Sequence, residues 1–99
     1  MSGQYRVVFG GARIEKEIVK FMGRLPRTDQ QRLHDAMASL GANPRPQQAK
    51  RLSEWVKVFA YAAQYRLRAG EYRILYDVDD QARTVVLLAV RRRSEKTYH

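Results

Sequence analysis

The chain has 99 residues, 44% of them hydrophobic and 29% charged, a size and balance that fit one globular domain over residues 1–99 and leave no room for a second core. It has no cysteine and only two histidines, His34 and His99, which excludes a disulfide framework, a thiol nucleophile and a Cys/His zinc site. Nineteen Lys and Arg against ten Asp and Glu give a net charge of +9. That surplus draws polyanions by counterion release, and its bias toward arginine suits phosphate. No apolar run is long enough for a membrane span, and the first residues lack an apolar signal core, so the expectation is a cytoplasmic protein with no small-molecule cofactor.

Residues Gln4 to Phe9 alternate with Tyr5, Val7 and Phe9 on one side, predicting a first strand that ends at Gly10-Gly11. From Ala12 to Met22, Ile14, Ile18, Phe21 and Met22 recur at helical spacing, with Glu15, Lys16, Glu17 and Lys20 on the solvated side. Pro26 closes that element. Thr28 or Asp29 is placed to cap a second helix running to about Leu40, with Leu33, Ala36, Met37 and Leu40 as its apolar stripe and Gly41 as its stop. His34 falls off that stripe and reads as a surface residue.

The prolines of Ala42 to Gln48 mark a loop. After it, Lys57 to Ala69, Tyr72 to Val78 and Thr84 to Val90 read as strands separated by turns at Gly70-Glu71 and Asp79-Asp80-Gln81. The expected fold is α+β: a small antiparallel sheet in the order β-α-α-β-β-β, with a helical hairpin packed on one face. Ser53 to Ala63 keeps no clean alternation, which a bulge or a longer hairpin arm explains. Its aromatics Trp55, Phe59 and Tyr61 read as core or edge packing. Tyr65, Tyr72 and Tyr76 read as core, and Glu71, Asp77, Asp79 and Asp80 as residues that shape turns.

Within the third region, Gln64, Arg66 and Arg68 stand at i, i+2 and i+4, so all three project from one face while Tyr65 and Leu67 enter the other. Arg73 is on the next strand, and Arg91, Arg92 and Arg93 end the last one. This spacing predicts a cationic cluster able to hold a phosphate.

The stretch YRLRAGEYRILYDVDD, Tyr65 to Asp80, followed by VVLLAVRRRSEKTY, Val85 to Tyr98, resembles the RelE/ParE toxin superfamily of bacterial toxin–antitoxin systems. The resemblance rests on the order of an arginine-bearing strand, the Gly70 turn, the Tyr72-Arg73 pair, the Tyr76 ending and the terminal Arg/Tyr signature. It implies one of two activities: messenger RNA cleavage in the ribosomal A site, as in RelE-like members, or DNA gyrase poisoning without chemistry, as in ParE-like members. It also implies a cognate antitoxin as partner.

For a RelE-like activity the resemblance puts Arg73 at the phosphate-stabilising position and Arg92, or Arg93, near the leaving oxygen. Tyr98 then orients or activates the substrate, and Arg66 is the basic residue of the preceding strand. Arg68, Gln64, Lys57, Lys50, Arg51 and Arg91 complete the expected RNA-binding surface. The departure is Gln64, where RelE-like enzymes can carry a lysine that helps to activate the 2′-hydroxyl. Glutamine is not a base, which leaves Lys57, Arg66 or Tyr98 for that role.

Overall fold

In the computed structural model, which describes residues 4–93, two helices and five strands follow in the order β1 (Arg6–Phe9), α1 (Ala12–Gly23), α2 (Arg27–Ser39), β2 (Ala49–Val58), β3 (Tyr61–Ala69), β4 (Tyr72–Asp79) and β5 (Thr84–Arg92). The strands form one sheet in the spatial order β1-β5-β4-β3-β2. Strands β2 to β5 are the expected antiparallel meander. β1 lies at the edge and runs parallel to β5, with Val7 opposite Val85 and Phe9 opposite Leu87, which makes the sheet mixed.

The helices form where the apolar spacing places them. Ile14 and Ile18 of α1 and Leu33, Met37 and Leu40 around α2 are buried, with Phe21, Met22 and Ala36 packed against them. Two details differ from the sequence reading. Helix α2 begins at Arg27, directly after Pro26, and no side chain caps it. Proline is suited to a helix start, since its fixed φ is already helical and its missing N–H is not needed there. Asp29 sits in the first turn, where its carboxylate meets the helix dipole and accepts the Tyr72 hydroxyl at 2.7 Å.

The irregular stretch is a hairpin of its own. β2 and β3 turn at Phe59-Ala60, Phe59 adopting a positive φ of 53°, and their tip extends past the pairing of β3 with β4, which begins at Tyr65. Between Arg51 and Val56 the register slips: Arg51 faces Tyr65 and Val56 faces Ala63, so β2 carries extra residues around Leu52 to Glu54. This arm reaches back over the molecule. Val58 and Phe59 line a cavity of about 280 Å³ with Glu17, Ile18 and Phe21 of α1 and Leu88 to Arg91 of β5. Arg13 of α1 lies over the Phe59 ring at 4.5 Å.

The core is one cluster between the helices and the sheet. Tyr72, Ile74 and Tyr76 of β4 enter it with Leu67 and Ala69 of β3 and Val85, Leu87 and Val90 of β5. Trp55, Phe59 and Tyr61 do not: they are 64%, 47% and 43% exposed, so of the expected core or edge packing only the edge contact of Phe59 with Arg13 is found. Trp55 and Tyr61 stand on a hairpin that outruns β4, the strand next to β3. Among the described residues no helix is long and apolar enough to cross a membrane.

Candidate nucleic-acid interface

Strand pairing fixes which arginines share a face, because residues directly opposite in an antiparallel pair project to the same side. Arg68 of β3 faces Arg73 of β4, and Arg73 faces Arg91 of β5. Arg66 faces Leu75 on that side and is itself opposite Lys50 of β2. The result is a row of three arginines across three strands, Arg68-Arg73-Arg91, flanked by Arg66 and Lys50. All of them lie on the side of the sheet turned away from the Tyr72 contact with α2. Arg73, at the centre, is half-buried, with its Nε below the surface.

Such a row opposes folding. Like charges placed directly across a sheet repel, and their Cβ atoms stand only about 4.5–5.5 Å apart. A bound phosphate removes that repulsion, since each guanidinium offers a planar fork of donors that matches two phosphate oxygens.

The register separates Arg92, one of the two candidates with Arg93, from Arg73. Arg92 faces Tyr72, not Arg73. Its guanidinium lies 5.6 Å from the Tyr72 ring centroid and 5.9 Å from that of Phe21, on the helix side of the sheet. Strand alternation is the physical reason: adjacent residues point to opposite faces, so only one of Arg91 and Arg92 can stand with Arg73, and it is Arg91. Arg93 follows the strand end, where its amide donates to the Glu71 carbonyl at 2.8 Å. Tyr98 and His99 lie outside the described residues.

Other expected RNA-binding residues fall into two groups. Arg66 and Lys50 line a cavity of about 410 Å³ with Arg51, Leu52, Ser53 and Glu54, at the register slip of β2. Arg51 lies 5.9 Å over the Tyr65 ring and donates to Gln64 Oε1 at 3.4 Å. Lys57 stands apart, opposite Ala62 on the hairpin arm, in a cavity of about 310 Å³ with Trp55, Ala60, Tyr61 and Ala62.

A second polar cluster, at the other end of the sheet, escaped the sequence reading because its members are far apart in the chain. Arg45, from the proline loop, forms an ion pair with Asp80 at 2.8 Å and donates from Nε to the Tyr65 hydroxyl at 3.0 Å. The Tyr5 hydroxyl donates to the same carboxylate at 2.6 Å, and the Tyr76 hydroxyl donates to the Pro44 carbonyl at 2.7 Å. Asp80 thus ties the loop to the sheet as well as standing at a turn. The Arg45 hydrogen bond, then the Tyr5 one, holds its carboxyl below the usual range.

Among the described residues, three tyrosine hydroxyls are shifted, all upward. The Tyr5 hydroxyl is pushed up by its bond to Asp80, that of Tyr72 by its bond to Asp29, and that of Tyr76 by burial.

Solved structures of other proteins share this fold. The archaeal RelE–RelB complex of Pyrococcus horikoshii superposes with a TM-score of 0.71 at 23% identity, over 94% of this chain and 99% of that one. The RelBE2 toxin–antitoxin complex of Mycobacterium tuberculosis gives 0.66 at 27% identity, over 93% and 94%. The E. coli RelE toxin carrying two arginine-to-alanine substitutions, in its free state, gives 0.55 at 19%, over 92% and 85%. No curated protein sequence matches. Residues 12–97 match the family profile described as ParE toxin of the type II toxin–antitoxin system parDE. With nearly the whole chain matched and the fold shared with RelE toxins, this protein belongs to the RelE/ParE superfamily of type II toxin–antitoxin toxins.

Proposed function

We propose that this toxin is a ribosome-dependent endoribonuclease that cleaves messenger RNA in the A site and so arrests translation. The observation that supports it is the Arg68-Arg73-Arg91 row with Arg66 beside it, on one face of the sheet. In the reaction the 2′-hydroxyl oxygen attacks the adjacent phosphorus, the P–O5′ bond breaks, and a 2′,3′-cyclic phosphate and a 5′-hydroxyl are left. Negative charge builds on the equatorial oxygens in the phosphorane-like transition state. Arg73 and Arg91 stabilise that charge, each placed donor being worth roughly 2.7–4 kcal/mol. Arg66 and Arg68 hold the neighbouring backbone.

Arginine is a poor proton acceptor, its pKa lying above about 12, and Lys57 stands far along the hairpin arm, so the base that takes the 2′-hydroxyl proton is Tyr98 or a group of the ribosome. Gln64 accepts from Arg51 and, being an amide, performs no proton transfer. A cognate antitoxin, of the kind bound in the Pyrococcus and Mycobacterium complexes, neutralises the cation row until it is released.

A second reading, inhibition of DNA gyrase by binding alone, draws on the ParE description of the matching family and on glutamine at position 64. One experiment separates the two. After induced expression, primer extension on messenger RNA shows discrete ribosome-dependent cuts if the nuclease reading holds. Intact messenger RNA together with loss of plasmid supercoiling establishes the gyrase reading instead.

A further inference from the structure

The β2–β3 hairpin presents three of the four large hydrophobic side chains that stand exposed among the described residues: Trp55, Phe59 and Tyr61. Trp55 and Tyr61 line one cavity with Lys57 and Ala62. Arg13 of α1 lies over the Phe59 ring, while Trp55 is 64% exposed. Lys57, opposite Ala62, and Trp55 two residues before it project to the face of the arginine row, whereas Tyr61 alternates to the face of Ala63 and Leu67. β3 runs without a break from Tyr61 to Ala69, and its alternate residues Ala62, Gln64, Arg66 and Arg68 project to one face, ending opposite Arg73. At about 3.3 Å per residue the aromatic cavity stands roughly 20 Å from Arg68 along that strand.

We propose that Trp55, with Lys57 beside it, forms a stacking platform for a base of a single-stranded RNA whose backbone continues along β3 to the arginine row. This extends the endonuclease reading by assigning a second grip on the same strand. The chemistry fits one occupant: an aromatic face accepts any base, and cations on the same face track the phosphates that follow it. An acidic protein segment would use the cations and leave the Trp55 ring uncovered. Duplex DNA presents no unstacked base to cover it.

Trp55 is the single tryptophan of the chain, so its fluorescence reports this surface alone. The full chain is titrated with a short unstructured oligouridylate, following tryptophan emission and, separately, the anisotropy of a labelled RNA. A saturable quench that weakens with added salt is expected. Trp55→Ala should lower the affinity roughly 5- to 150-fold, corresponding to about 1–3 kcal/mol per stacked base, and Trp55→Phe should recover most of it. Because Trp55 is exposed, the thermal midpoint should stay unchanged in both variants.

Binding without a quench, binding unaffected by Trp55→Ala, an absence of RNA binding, or an equal quench by duplex DNA each overturns the platform. Arg73→Ala should abolish cleavage and keep the quench, which separates the two readings: loss of cleavage reports on the arginine row, the fluorescence on the hairpin.

Discussion

Arg73 and Arg91 stand directly opposite each other across β4 and β5 and project from the same face of the sheet. The next pair on that face, Leu75 opposite Ala89, is buried. Two cations held so close repel each other, and an anionic ligand between them offsets that repulsion.

Arg91→Gln should therefore raise stability while removing function. Relief of the cross-strand repulsion is expected to contribute about 0.2–1 kcal/mol in denaturant unfolding. Messenger RNA cleavage should fall by about 10²–10³-fold, measured by primer extension in a ribosome-programmed reaction. A variant that is both less stable and fully active would refute the role given to this row.

Arg92→Ala should behave in the opposite way. Its guanidinium rests on the Tyr72 and Phe21 rings, which themselves meet edge to face at 6.0 Å. Losing those contacts should cost about 0.5–2 kcal/mol of stability, read as a lower thermal midpoint, with cleavage by the folded protein reduced far less than in Arg91→Gln.

The loop latch gives a pH dependence of definite sign. Asp80 is held below the ordinary carboxylate value by Arg45 and then Tyr5, so its contribution is present above the unfolded value of about 3.9 and is lost as pH falls through the lower folded value. Acid unfolding of Asp80→Asn should lack that part of the transition. Hydrogen exchange at residues 42–48 should speed up in the variant at neutral pH, and equal exchange in both proteins would show that the latch does not hold the loop.

Gly70→Ala tests the turn that sets Arg68 opposite Arg73. Gly70 has φ of 61°, and a Cβ there would crowd the Arg32 side chain. A loss of about 1 kcal/mol is expected, with the meander still formed. The chemical denaturation midpoint checks it.

Much of the architecture follows from local pattern. The stripes Ile14-Ile18 and Leu33-Met37-Leu40, the glycine turn at position 70 and the alternation of Gln64, Arg66 and Arg68 are periodicities a linear reading detects. The hairpin arm was visible only as broken alternation, because a register slip on β2 disrupts the period of one strand while β3 keeps its own. Its aromatics were expected as core or edge packing, since burial is the usual fate of such side chains. Trp55 and Tyr61 stand exposed where the hairpin outruns β4.

The amino-acid order determined the elements, the positive charge and the membership of a toxin superfamily, since each depends on residues near one another in the chain or on their sum. Only the tertiary structure decided that Arg91, and not Arg92, joins Arg73, and that Arg45 reaches Asp80 and Tyr65. Pairing register is set by packing across strands, and a shift of one residue sends a side chain to the other face of the sheet.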